Sequence, residues 1–145
     1  MPLWVESTAG APALILEKAV TASNISAAEA LYRRGLDLLA AGSPAEAAEV
    51  FRASIDVDPA HVEAHHGLVR SLRDAGRLEQ SIAAALALTA LDPSDPLAHA
   101  ALSISLQHAG HVPQAEAAAA RARVLEWKIQ LQSPAEAGAE PESKG

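Results

Sequence analysis

Six histidines lie between His61 and His111, and they are the side chains best suited to bind a metal ion or to move a proton. His61 and His65 are four residues apart, a spacing that on a helix places two imidazoles beside one metal. No third ligand follows at a convincing spacing, so we predict that His65 and His99 are partly buried and hydrogen-bonded to nearby groups. Metal binding through His61, His65, His66 and His99 is kept as a minor alternative, and no cofactor is expected.

Motifs for catalysis are missing from the sequence. It has no glycine-rich phosphate-binding loop, no nucleophile elbow and no zinc motif with a catalytic glutamate. Cysteine is absent, which excludes disulfides, thiolate metal sites and cysteine nucleophiles. We therefore predict that the protein is not an enzyme.

The charge balance and the hydropathy pattern argue against several kinds of partner. The sequence has 11 Lys and Arg against 18 Asp and Glu, a formal net charge of −7, whereas nucleic-acid binding needs clustered positive charge. The apolar run from Ala13 to Leu16 is too short for a signal peptide, and no stretch is long enough to span a membrane. These features predict no nucleic-acid partner, no membrane insertion and a cytoplasmic location.

A fixed period organises the chain, because similar segments surround Gly42, Gly76 and Gly110, and the two intervals between these glycines are equal. Roughly a quarter of the residues are alanine, and aromatic and β-branched residues are scarce, a composition typical of helices. Since glycine tolerates the left-handed conformation that closes a helix, each unit is predicted to be a helix, a tight turn and a second helix. The fold class is therefore all-α, with units that bury their apolar faces by stacking.

The limits of the helices are predicted from capping residues and prolines. Ser26 and Glu29 have the spacing of a capping box, which predicts a helix from Ser26 to about residue 41. Ser43 and Pro44 predict a hydroxyl N-cap and a first-turn proline for the next helix, which runs to about residue 57. Later helices are predicted over 61–75, over 78–91, from Pro96 to Gly110, and from there to about Gln132, because Trp127 stands where Pro59 and Pro93 end the earlier units.

The units resemble the tetratricopeptide repeat, in which large, small, aromatic and proline positions recur with a period of about 34 residues. The matching residues are Leu31, Gly35, Leu38, Gly42, Ala47, Phe51 and Pro59, then Leu68, Leu72, Gly76, Ser81 and Pro93, then Leu102, Leu106, Gly110 and Ala115. The resemblance implies an α-solenoid of three hairpins in a right-handed arc, with repeats over about 28–61, 62–95 and 96–129 of a domain spanning 26–132. Outside it lie an N-terminal arm, 1–25, with a short helix predicted over 13–22, and an acidic tail, 133–145, predicted to be disordered.

One bulky position of the repeat is filled only once. Phe51 fills it in the first unit, but Ala85 and Ala119 stand there in the later units, and a Phe-to-Ala change in a core typically costs about 3 to 5 kcal/mol. Other side chains must take up that volume. The candidates are Leu86 and Leu88 in the second unit, and Leu125, Trp127 or the N-terminal arm in the third.

The resemblance also implies a concave groove, lined by the first helix of each unit, that binds a peptide or a helix. Its predicted lining is Tyr32, Arg33, Leu36, Leu39, His66, Arg70, Arg73, Leu97, Ile104, Gln107 and His108. The arginines would suit carboxylate groups of the partner. The alternative is that they only pair with Glu29, Glu63 and Asp74 on a solvated face.

Family members that bind the acidic C-terminus of heat-shock chaperones carry a clamp of lysines, asparagines and an arginine. The equivalent positions here hold Tyr32, Leu36, Gly67, Leu97 and Ala101. We therefore expect the groove to prefer a more apolar ligand.

These observations predict a protein–protein interaction module, an adaptor or assembly factor that binds a segment of a partner protein. The alternative is a structural accessory subunit or a homo-oligomer, in which Trp4 and the apolar segment from Leu14 to Val20 insert into a neighbour.

Overall fold

A computed structural model describes residues 23–133 of the chain, and within that range the regular structure is entirely helical. Residues 23–40 form helix α1. The helices that follow are α2 (Pro44–Val57), α3 (Val62–Asp74), α4 (Leu78–Leu91), α5 (Pro96–His108) and α6 (Val112–Leu131). From α2 onward each helix packs on the next, and α3 also packs on α5, so that consecutive hairpins stack into the predicted α-solenoid.

The three glycines form the predicted turns. Gly42, Gly76 and Gly110 have φ angles of +80°, +79° and +84°, the left-handed conformation that closes a helix at low steric cost. Pro44 takes the first turn of α2 as predicted, and Ser43 lies at its N-cap. The predicted hydroxyl cap is wrong, because the Ser43 side chain makes no capping hydrogen bond.

The predicted start of the first helix is also wrong. The chain is already helical at residue 23, so Ser26 lies within α1 and cannot act as the N-cap of a capping box. The arm predicted over 1–25, with its short helix over 13–22, falls almost wholly outside the described residues, as does the tail after Ser133.

Phe51 has the largest side chain that is fully buried within residues 23–133, and it lies between the first and second units. A Cβ atom added to Gly35 of α1 would lie 2.6 Å from the Phe51 ring, and one added to Gly67 of α3 would lie 2.5 Å from it. The ring therefore occupies the space that two missing side chains leave, and it fixes the contact of α2 with α1 and α3.

The second unit fills the equivalent space differently. Ala85 is fully buried, and the positions that match the two glycines hold Val69 and Ala101. These larger residues and Leu88 pack together with Ala85. Side chains of the neighbouring helices therefore supply volume that the Phe51 ring supplies in the first unit. Of the two predicted fillers Leu88 is confirmed, whereas Leu86 is wrong because 53% of it is exposed.

The third unit ends in the extended helix that the missing proline predicts. α6 has 20 residues, against 13 or 14 in the helices α2 to α5. Leu125 is buried there, as expected for a filler. Trp127 is wrong as a filler, because it points outward and is 62% exposed.

Buried serine hydroxyls tie neighbouring helices together. Ser54 of α2 donates to the carbonyl of Ala28 in α1 at 2.7 Å, and Ser81 of α4 donates to that of Val69 in α3 at 2.9 Å. Ser103 of α5 donates to the carbonyl of Ala115 in α6 at 2.7 Å. Each bond satisfies a buried polar group and sets the register of two packed helices.

Candidate partner-binding groove

Helices α1, α3 and α5 line two adjoining hollows on one side of the solenoid. The first, of about 250 Å³, lies between α1 and α3 and is lined by Tyr32, Leu36, Leu39, Glu63, His66, Gly67 and Arg70. The second, of about 330 Å³, lies between α3 and α5 and is lined by His66, Val69, Arg70, Arg73, Leu97, Ala100, Ala101 and Ile104. Because His66 and Arg70 line both, the two hollows form one continuous concave groove.

Large apolar side chains are exposed along this groove. Leu36 is 41% exposed, Leu97 64% and Ile104 41%. They come from α1 and α5 and lie on either side of α3. Exposed apolar residues that cluster in a concavity are typical of a binding surface.

The positive charge of the groove lies on α3. Arg70 is 3.7 Å from Asp74 of the same helix, a pair whose two side chains are both largely exposed. Arg73 makes no ion pair with another residue of the described range 23–133. Exposed pairs of this kind contribute about 0 to 1 kcal/mol, so a carboxylate ligand can compete for Arg70 at little cost.

His66 of α3 lies close to Asp95, the residue before α5. The imidazole Nε2 of His66 is 3.6 Å from Oδ2 of Asp95. Oδ1 of Asp95 accepts the amide of Leu97 at 2.9 Å and so caps α5. The carboxylate therefore caps α5 and lies beside His66 of α3.

Eight of the predicted lining residues lie together in the groove, and three do not. Arg33 instead pairs with Glu29 at 3.1 Å, as the alternative prediction has it, and is 75% exposed. Gln107 and His108 lie on α5 but line neither hollow, and His108 bonds to the carbonyl of Ile104 at 2.9 Å.

Val69 lines the second hollow and Asp95 lies beside His66 of that hollow, although neither was among the predicted lining residues. Val69 stands one repeat period after Gly35, so the repeat register carried a signal for its burial. Asp95 precedes Pro96, and an aspartate before a proline is a typical helix start. Its approach to His66 depends on how two repeats stack.

The N-terminal rim of the groove is a cluster of Glu29, Tyr32 and His61. Nε2 of His61 lies 3.1 Å from Oε1 of Glu29, while Nδ1 accepts the amide of Ala64 and caps α3. The ring of Tyr32 lies 5.1 Å from that of His61. Hydrogen bonds from His61 and then Arg33 lower the pKa of the Glu29 carboxyl below its usual 4.5. Burial, together with Glu63 and Glu29, raises the pKa of the Tyr32 hydroxyl.

The histidines proposed as an alternative metal site are engaged in other contacts. His65 and His99 are partly buried, and their Nε2 atoms lie 2.8 and 2.9 Å from the carbonyls of Pro59 and Pro93, which confirms the predicted local bonding. Over residues 23–133 no group of three or more His, Asp or Glu side chains converges as a metal site would require. Within the same range no helix has the length and hydropathy needed to cross a membrane.

The positions equivalent to the chaperone-tail clamp all lie in the groove. Tyr32, Leu36 and Gly67 line the first hollow, and Leu97 and Ala101 line the second. None of them is the lysine, asparagine or arginine that such a clamp requires.

Stacked helical hairpins, left-handed glycines at a fixed interval and a groove lined by the first helix of each hairpin define an α-helical repeat protein. The sequence pattern of the tetratricopeptide repeat family matches residues 32–96 and 66–128. The chain therefore belongs to the tetratricopeptide repeat family. Comparison with curated protein sequences finds no match.

Solved structures share this fold. The second repeat domain of Spaghetti (RPAP3) bound to an HSP90 peptide is similar to 71% of this chain over 95% of its own length, with 18% identity and a TM-score of 0.65. The type III secretion translocator chaperone SycD of Yersinia enterocolitica matches 81% of this chain over 95% of its own, with 20% identity and a TM-score of 0.65. A chain of the CopN–Scc3 complex matches 68% at 23% identity and a TM-score of 0.63, and this chain covers 58% of its length.

Proposed function

We propose that the protein is a non-catalytic interaction module that binds a segment of a partner protein in the groove between α1, α3 and α5. The observation that carries the proposal is the groove itself, in which Leu36, Leu97 and Ile104 are exposed beside Arg70 and Arg73. Membership of the tetratricopeptide repeat family supports it. So do two of the structural relatives, since one was solved with a bound HSP90 peptide and the other is a translocator chaperone.

The chemistry of the groove defines the segment that it binds. Apolar side chains at both ends favour a ligand with two aliphatic or aromatic anchors. The guanidinium groups of Arg70 and Arg73 favour a carboxylate between them, since each presents two parallel N–H donors. The ligand is thus apolar with a single acidic group, unlike the strongly acidic chaperone tails for which this groove lacks a clamp.

A displayed library of random dodecapeptides, selected on the full-length protein, tests this proposal. Selected peptides should share two apolar residues flanking Asp or Glu, and bind about tenfold or more weakly after Leu97→Asp or the double change Arg70→Glu and Arg73→Glu. Arg77→Glu is the matched control, because Arg77 is exposed at the start of α4 and lies outside both hollows. Peptides that bind the groove variants as well as the wild-type protein would refute the site.

A further inference from the structure

The extended helix α6 has a second apolar side, which lines a hollow with α4 and α5 at Ala117 and is exposed at Val124, Trp127 and Leu131. Its inner side is buried against the rest of the domain through Ala115, Ala118, Ala122 and Leu125. The outer side carries the sequence-spaced set Ala117, Ala120, Val124, Trp127 and Leu131, which we call the outer seam. Val124 is 42% exposed, Trp127 62% and Leu131 66%.

The spacing of the outer seam is that of a coiled coil. Its residues follow one another at intervals of 3, 4, 3 and 4, the a and d positions of a heptad. At about 100° per residue they fall within an arc of about 80°, opposite the buried side. A helix that is apolar on two opposite sides is typically buried on both. We therefore expect a partner to cover the outer seam.

The charges beside the seam define the partner's chemistry. Arg121 and Lys128 occupy e positions and Arg123 a g position, and all three are exposed. The structure places no ion-pair partner for them within residues 23–133. On a chain of net charge −7, the flanks of this seam are thus positive, except at its N-terminal end, where Glu116 lies. Coiled-coil partners are selected by opposite charges at these positions.

Charge also weighs against the other occupants. A second α6 would place Arg123 against Lys128 in the parallel orientation and Arg121 against Lys128 in the antiparallel one, and both are like-charge pairs. Residues 134–145 contain no large apolar side chain that could fill the seam. A membrane-binding helix needs a broader apolar face, and the net charge of −7 opposes binding to anionic lipid.

We propose that the outer seam of α6 docks an amphipathic helix of another protein, with apolar a and d residues and acidic e and g residues, in a two-stranded coiled-coil contact. This site is separate from the groove between α1, α3 and α5. It would let the module hold two partner segments at once, one on each side.

A pair of synthetic peptides of three heptads tests the docking site on the full-length protein. Both have leucine at a and d, and they differ only in carrying glutamate or lysine at e and g. Fluorescence anisotropy of labelled peptide should show the glutamate peptide binding about tenfold or more tightly than the lysine peptide. Trp127→Ser should weaken that binding about tenfold or more, and the triple change Arg121→Glu, Arg123→Glu and Lys128→Glu should reverse the preference.

Ile129→Ser is the matched control, since Ile129 is 48% exposed on the same helix but lies outside the outer seam and the groove, and it should leave binding unchanged. The proposal would be overturned if neither peptide binds, if both bind equally, or if Trp127→Ser does not change the binding. These results would count against the seam whatever the groove binds.

Other results would assign the seam to a different occupant. A dimer in sedimentation that Trp127→Ser dissociates would assign it to a second copy. Binding to phosphatidylglycerol vesicles lost in the same variant would assign it to membranes. Peptide binding that is seen only in the Leu16→Glu variant would assign the outer seam to the chain's own N-terminal segment. Each of these three results also overturns the proposal.

Discussion

Phe51 and Gly67 form a pair whose volumes should be strongly coupled. Phe51→Ala leaves a cavity between α1, α2 and α3 and should cost about 3 to 5 kcal/mol of the free energy of unfolding. Gly67→Ala alone gains up to about 1 kcal/mol of helix propensity. Its new methyl would lie 2.5 Å from the Phe51 ring, however, and overpacking of this kind costs about 1 to 3 kcal/mol.

The double variant removes the clash and partly fills the cavity. Gly67→Ala then keeps its gain in helix propensity, so the double variant should lose less than the sum of the single variants, by about 2 kcal/mol. It also copies the second unit, where Ala85 packs near Ala101. The natural chain therefore already contains the repacked arrangement.

Urea unfolding followed by far-UV circular dichroism measures the four members of this cycle. If Phe51→Ala does not fold, Phe51→Leu gives the same cycle with smaller terms. The converse variant, Ala85→Phe, should be destabilised because Val69 and Ala101 fill the space that a ring would need. Additivity of the single changes within about 0.5 kcal/mol would refute the reasoning, since it would mean that Phe51 and Gly67 do not share one space.

Further predictions concern buried hydroxyls, one ion pair and one turn. Among residues 23–133 the buried hydroxyl of Ser71 has no hydrogen-bond partner, so Ser71→Ala should raise the free energy of unfolding by about 1 kcal/mol. The equivalent Ser105→Ala, which loses a 2.7 Å bond to a serine, should lower it by a similar amount. An NMR titration should place the pKa of Glu29 below 4.5 and return it toward 4.5 in His61→Gln. Because folding lowers the pKa of Glu29, its contribution to stability is present above the unfolded pKa and is lost as the pH falls through the folded pKa. A titration midpoint of Glu29 that His61→Gln leaves unchanged would contradict the contact between the two side chains. Gly76→Ala should cost about 1 kcal/mol in urea unfolding because of its left-handed φ of +79°, and an unchanged midpoint would show that the turn tolerates a side chain.

Much of the solenoid could be predicted from local signals. The turn glycines and the prolines after Asp58 and Asp92 are local signals for helix ends, because glycine tolerates the left-handed conformation and proline lacks the amide that would continue a helix. The limits of α2 and α4 were therefore predicted to the residue. The start of α1 was not, because Ser26 has the spacing of a cap while the preceding residues continue the helix.

The sequence by itself also determined the repeat family, through its period and its recurring residue types, and the resemblance to that family implied which helices line the concave side. Only the tertiary structure decided that Phe51 lies between Gly35 and Gly67, that Asp95 approaches His66, and that Trp127 faces outward. The first two depend on distances between helices of different repeats, which residue spacing along one chain does not contain. The third depends on which side of α6 packs on α5, and a helix with apolar residues on both sides leaves that choice to the packing of its neighbours.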